Sequence, residues 1–284
     1  MSERRSIFIT GAASGIGLAT ARLFKDQGWF VGGYDVDRDG IDALSGELGD
    51  GGVTGLLDVR DKDAVDTTLA AFVEAAGGRL DLMFNNAGIA VAGNLDDVPF
   101  DRLRDVVDIN LMGVLNGMHA AIPHLATTPN SLCFTTASSA AVFGTAGMAV
   151  YGATKAAVRS LTEALSVELA RHDSRAADVA PGIIDTPLWE SDRFGPGSTR
   201  KPIRNLAKAN VERTDAARTV PPEDVAACVL AAYESDRLHW YVPEGVADNE
   251  IIRATEPERL RDQGIAGIRA AQAAAEARRT GQAE

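Results

Sequence analysis

The 284-residue chain is short of the residues that cross-link, ligate metals or carry positive charge. It holds 2 cysteines, Cys133 and Cys228, and 4 histidines. Two thiols cannot build a disulfide framework and leave a metal site without thiolates, which suits a reducing compartment. Basic residues are the minority, 28 Lys and Arg against 40 Asp and Glu, for a net charge of −12. Nucleic-acid binding needs clustered cations to neutralise phosphates, so that class lacks its electrostatic footprint. Long apolar runs are missing too. The opening Met1-Ser2-Glu3-Arg4-Arg5 leads only into Ile7-Phe8-Ile9, which predicts no secretory signal. Between Asp108 and Lys155 there is no charged residue, yet Asn110, Asn116, His119, Pro123, His124, Pro129 and Asn130 break the stretch. No apolar span of about 18 residues survives, so a soluble, cytoplasmic protein without membrane or metal partners is expected.

What is present suits a folded α/β chain. A hydrophobic fraction of 45% excludes global disorder, and the length allows one large domain or two small ones. Strand-length apolar runs at 6–10, 30–34, 53–57, 80–84 and 131–136 alternate with helical periods at 14–27, 39–48 and 61–76. That alternation predicts βαβ units and a parallel sheet covered on both faces. A helix near 111–125 lacks charge all round and needs cover on every side, from a second subunit or from later segments of the chain. Residues 187–220 turn polar and irregular around Gly195-Pro196-Gly197, as a substrate lid would; Trp189, Phe194 and Leu206 there make either an apolar lid or a packing cluster of their own. A helix at 222–234, a strand at 239–242 and a helical extension over 248–284, fraying at Ala270–Arg279, complete the reading.

Two constellations carry chemistry. Gly11, Ser14, Gly15, Ile16 and Gly17 lie between the first strand and the first helix. Small residues there let the backbone turn sharply and approach a pyrophosphate, which the helix amides and dipole attract; a tight structural turn is the plain alternative. No Lys-Ser/Thr follows, which removes the P-loop reading. Asp35 ends the second strand, 18 residues after Gly17. A carboxylate there accepts both adenosine-ribose hydroxyls and repels a 2′-phosphate, selecting NAD over NADP, unless it merely caps a turn. Asp58 closes the third strand similarly, where an adenine would lie. The second constellation is Tyr151 and Lys155, one helical turn apart on one face, with Ser138 13 residues upstream at a strand end. A phenol titrates about three units too high for a base near neutrality, and an ammonium together with a cationic nicotinamide favours the phenolate.

Thr10-Gly-Ala-Ala-Ser-Gly-Ile-Gly17, Asn85-Asn-Ala-Gly88, Asn110, Ser138, Tyr151-Gly-Ala-Thr-Lys155 and Pro181-Gly-Ile-Ile-Asp-Thr186 together resemble the short-chain dehydrogenase/reductases, over residues 6 to about 245. The resemblance implies a single-domain Rossmann fold over 1–247, with a doubly wound parallel sheet of about seven strands flanked by helices. It implies Tyr151 as general acid/base, Ser138 on the reacting oxygen, in preference to its neighbour Ser139, and Lys155 lowering the tyrosine pKa and holding the nicotinamide ribose. Asn110 would distort its helix and position a relay water. Val59 beside Asp58, with Asn86, Ala87 and Gly88, would line the adenosine side, while Pro181, Ile184 and Thr186 would serve the nicotinamide. The implied activity is hydride transfer between NAD and a secondary alcohol or ketone, in a homodimer or homotetramer. The rivals are an NADP-dependent carbonyl reductase, for which Arg38 is the nearest cation, and a catalytically silent nucleotide-binding regulator.

The chain departs from the family pattern at Thr154, commonly serine, and at Val242-Pro-Glu-Gly245. Arg175-Ala-Ala-Asp178-Val-Ala replaces a more apolar strand and predicts a short or irregular one. His119 and His124, five apart, lack the four-residue spacing that aligns two metal ligands on a helix, and are expected in core or interface roles.

Overall fold

A computed structural model of the chain describes residues 4–189, 215 and 218–279. The strands are β1 (Ser6–Thr10), β2 (Phe30–Asp35), β3 (Gly52–Leu56), β4 (Leu82–Asn85), β5 (Leu132–Thr136), β6 (Arg175–Pro181), β7 (Ile183–Ile184), β8 (Thr219–Val220) and β9 (His239–Val242). The helices are α1 (Gly15–Asp26), α2 (Arg38–Leu48), α3 (Lys62–Ala75), α4 (Phe100–Val107), α5 (Gly113–Leu125), α6 (Ala149–Leu169), α7 (Pro222–Tyr233), α8 (Val246–Thr255) and α9 (Pro257–Arg279). The strands expected from the apolar runs all form, with ends displaced by no more than two residues.

Seven strands make one sheet in the order β3-β2-β1-β4-β5-β6-β9, every pair parallel. Alternate residues of each strand feed two cores, as the pleat requires. Ile7 and Ile9 of β1 join Phe24 of α1, Leu44 of α2 and Val229 of α7 on one face. Phe8, between them, joins Leu69 of α3, Met118 of α5 and Val158 of α6 on the other. The sheet is therefore buried on both sides, which explains why its central strands read as continuous apolar runs rather than alternating ones. Strand order reverses at β1 and β4, and in such sheets a crevice opens beyond the carboxyl ends of the two strands.

β6 corrects the expected short or irregular strand: it runs seven residues and pairs with both β5 and β9. Its polar residues are satisfied rather than excluded. Arg175 donates to the Ala232, Tyr233 and Ser235 carbonyls around the end of α7, and buried Asp178 pairs with His239. The uncharged helix also starts differently. It continues from α4 through a π turn, Asp108–Met112, before α5 begins at Gly113. α5 is covered on one side only by the described residues, with Leu115 39% exposed and Met112, just before the helix, 43% exposed. His119 is exposed and His124 half-buried. Among the described residues no helix is long and apolar enough to cross a membrane, and no acidic, His and Cys cluster could hold a metal ion. The candidate lid at 187–220, including Phe194 and Leu206, lies largely outside the described residues.

α5 reaches the sheet through glycines. A Cβ at Gly113 would stand 2.5 Å from Val59 Cγ2, and one at Gly117 would stand 2.0 Å from Asn85 Oδ1. Helix propensity alone favours Gly117→Ala by about 1 kcal/mol. Overpacking against Asn85 and Met83 outweighs it, so the variant should lose about 1–2 kcal/mol net in urea unfolding; a gain would refute the close packing.

Candidate active site

The turn from β1 into α1 is built for close approach. Gly11 and Gly15 have φ of +70° and +52°, a region that side chains rarely adopt, and a Cβ on Gly17 would sit 2.0 Å from the Gly11 carbonyl oxygen. α2 and α3 are capped by Asp37 and Asp61, whose carboxylates accept the amides of Gly40 and Ala64. α1 has Ser14 at its N-cap without any such side-chain bond, so its first amides keep their capacity for an external anion.

From this turn a cleft of about 560 Å³ runs across the carboxyl ends of the strands. It is lined by Gly11, Ser14, Gly15, Ile16, Asp35, Asp58, Val59, Asn86, Ala87, Gly88, Tyr151, Lys155 and Thr186. Asp35 is fixed at one end by three amides, those of Ala13 at 3.1 Å, Val36 at 2.7 Å and Asp37 at 3.1 Å. Asp58 lies near it, with Arg60 holding its carboxyl below the usual range through bonds of 2.6–3.0 Å. Tyr151 and Lys155 form the other end. A long cleft with an uncapped helix terminus along its wall, a carboxylate at one end and an ammonium at the other fits a dinucleotide.

Five of the expected residues, Gly17, Asn110, Ser138, Pro181 and Ile184, are not among those lining the cleft. Ile184 is in the sheet core and Pro181, also buried, ends β6, so neither lines the cleft. Gly17 shapes the turn from behind. Asn110 is fully buried at the middle of the π turn, where it clamps one residue of backbone: its Oδ1 accepts the Ile89 amide at 2.8 Å, and its Nδ2 donates to the Ile89 carbonyl at 2.9 Å. The same amide reaches Thr154 Oγ1 at 3.4 Å, and Thr154 donates to the Tyr151 carbonyl at 2.7 Å. Threonine in place of the common serine therefore still supplies the hydroxyl that joins the π turn to α6.

Ser138, two residues past β5, accepts the Ala140 amide at 3.1 Å and lies beside the Tyr151 phenol. Burial drives that phenol above its ordinary value, and the Ser138 bond works against the rise. Lys155 is 3% exposed and donates to the Thr136 carbonyl at 2.7 Å, with its Nζ 6.0 Å from the Tyr151 ring centroid. Burial pulls its ammonium down to about 8. Thr136 continues the connection, donating from its hydroxyl to Asn86 Oδ1 at 3.0 Å, while Asn86 Nδ2 donates to the Thr10 and Gly11 carbonyls. Lys155 and the glycine turn are thus linked through Thr136 and Asn86.

Arg60, Thr136, Ile109 and Leu188 also line the cleft and were not singled out from the sequence. Asp58 and Arg60 stand two apart on one turn, a local signal that was available; the others are brought in by strand register and chain reversal.

The short chain dehydrogenase family matches residues 5–195. A 3-oxoacyl-[acyl-carrier-protein] reductase of Thermotoga maritima is 31% identical over 80% of this chain and 89% of its own length. A meso-2,3-butanediol dehydrogenase of Serratia marcescens is 32% identical, over 82% of this chain and 88% of its own. Among solved structures, a short chain dehydrogenase/reductase of Burkholderia phymatum in complex with NAD superposes with a TM-score of 0.78 at 26% identity, covering 92% of this chain and 97% of that one.

The depressed titration of Lys155 has a consequence for stability. Its folded pKa of about 8 lies below the unfolded 10.5, so within that window the unfolded chain holds a proton that the folded chain has released. The burial penalty is complete below the window and gone above it. Relative to Lys155→Met, the wild type should gain roughly 3 kcal/mol of unfolding free energy as pH rises across it. Denaturant melts of both proteins over that range check the slope, and a flat difference would contradict it.

Proposed function

The chain belongs to the short-chain dehydrogenases, and from that membership we propose an NAD-dependent oxidoreductase acting on a secondary alcohol or the matching ketone, with Tyr151 as general acid/base. The observation that carries this reading is the buried Ser138–Tyr151 pair, one helical turn from Lys155, closing the end of the cleft opposite Asp35. A bound nicotinamide supplies the hydride acceptor or donor. The chain does the rest. Ser138 holds the reacting oxygen by hydrogen bonding, and Tyr151 takes its proton during oxidation or returns it during reduction. Lys155 keeps a positive charge beside the phenol and holds the nicotinamide ribose. A water at the Asn110 turn extends the proton path.

Electrostatics favour NAD. Asp35 and Asp37 both line the adenosine end, where they oppose a 2′-phosphate, while Arg38 is not among the lining residues. Pro181 and Ile184 act from beneath, by seating the segment that carries Thr186. In this reading 1–247 is the catalytic domain, with 187–220 as its substrate-selecting segment, and 248–284 is a C-terminal extension. The outward face of α5 at Leu115, with Met112 just before it, is where a second copy joins to form a cytoplasmic homodimer or homotetramer.

Two substitutions test the assignment, with a panel of secondary alcohols and the absorbance of reduced nicotinamide as readout. Tyr151→Phe should lower kcat by about 10²–10⁴-fold while dinucleotide binding persists; unchanged turnover ends the mechanism, and binding without turnover by wild type across the panel favours a silent regulator. Asp35→Ala removes a charged acceptor and should weaken NAD binding by about 10–100-fold while narrowing the preference over NADP. Equal affinities in the wild type would refute NAD selectivity.

A further inference from the structure

The face of α6 that carries Tyr151 and Lys155 continues at the same four-residue interval with Arg159 and Glu163. Arg159 is 7% exposed and enters a buried polar cluster that the proton chemistry does not use. Its Nε lies 3.7 Å from Asp178 Oδ1 on β6, and neither of these buried atoms makes a hydrogen bond. Asp178 Oδ2 is 2.8 Å from Nδ1 of His239, its register partner on β9, and His239 Nε2 is 3.4 Å from Glu163. The remaining guanidinium nitrogens pair with Glu250 of α8 and reach the Tyr241 hydroxyl at 3.4 Å, while that hydroxyl also donates to Glu250. One side chain therefore joins the catalytic helix to β6, β9 and the C-terminal segment.

Asp178 is fully buried in mid-strand, and a carboxylate there requires a cation held close. Guanidinium supplies permanent charge in a rigid planar fork, so it constrains direction as well as distance. α6 is a continuous helix, so a displacement at Arg159 moves Lys155 against the Thr136 carbonyl and Tyr151 against Ser138. We propose that Arg159 is a positioning residue for the Tyr151–Lys155 pair, and that Glu250 makes the C-terminal helix α8 part of that positioning. The inference rests on the reading of Tyr151 as the proton carrier.

The test uses the full chain with Glu250→Gln, Arg159→Met and Arg159→Lys. Glu250 is partly exposed, so its isosteric replacement preserves the fold while weakening the pairing. Misplacing reacting groups by about 1 Å can lower turnover by about a hundredfold, so kcat for the best alcohol of the panel should fall by about 10–100-fold in Glu250→Gln and Arg159→Met. KM and NAD affinity should stay within about threefold, and Arg159→Lys should recover part of the loss because charge is retained without the fork. If kcat per folded subunit stays within about twofold of wild type in both Glu250→Gln and Arg159→Met, the role is structural and the inference is overturned, whatever the change in thermal stability. If wild type turns over no alcohol, the proposed activity fails instead, and amide hydrogen exchange over residues 149–160 decides the coupling. Faster exchange there in Glu250→Gln supports it, and unchanged exchange overturns it.

Discussion

An ammonium held out of water against a single backbone carbonyl is the constraint to which the rest of this molecule answers. Lys155 is buried, its charge is disfavoured there, and the Thr136 carbonyl at the end of β5 is its hydrogen-bond acceptor. That arrangement exists only because β5 ends where α6 passes over it, and because the preceding turn of α6 brings the Tyr151 phenol to Ser138. Burial pushes both groups towards their neutral forms, leaving a phenol reluctant to ionise and an ammonium ready to lose its proton. In the proposed reaction a positively charged ring would favour the phenolate, against the direction in which burial pushes the tyrosine.

The polar network around the strand ends serves the same constraint. Thr10, Asn86 and Thr136 come from β1, the β4 end and β5, and their side chains satisfy one another and the local backbone. Buried polar groups left unmatched would destabilise the sheet at the point where it must stay open to a ligand. Matched, they tie the glycine turn to the lysine in one frame. Asn110 does the equivalent job on the other wall, its side chain fully engaged with Ile89 and Thr154. The π turn around it is the local departure from α geometry that brings this amide to the Ile89 backbone.

Charge is segregated along the cleft. Asp35, Asp37 and the Asp58–Arg60 pair sit at one end and Lys155 at the other, which orients a dinucleotide before any contact is optimised. The acidic balance of the whole chain does not predict this; position does. The same holds for β6, where Arg175 and Asp178 read as misfits in a strand until the helix-end carbonyls and His239 are seen to receive them.

Much of the site was legible from the chain alone, because its parts are local. The glycine turn, Asp35 at a strand end, and Tyr151 with Lys155 at helical spacing each follow from backbone sterics or from 3.6 residues per turn, which need no distant partner. The alternation of apolar runs and helical periods likewise determined a parallel, two-sided sheet. Tertiary structure alone decided which distant groups meet: Thr136 with Lys155, Asn110 with Ile89, and Arg159 with Asp178 and Glu250, pairs separated by 19 to 91 residues. Such contacts depend on strand order and register, and no interval along the sequence encodes the distance between two residues once the chain has folded back on itself.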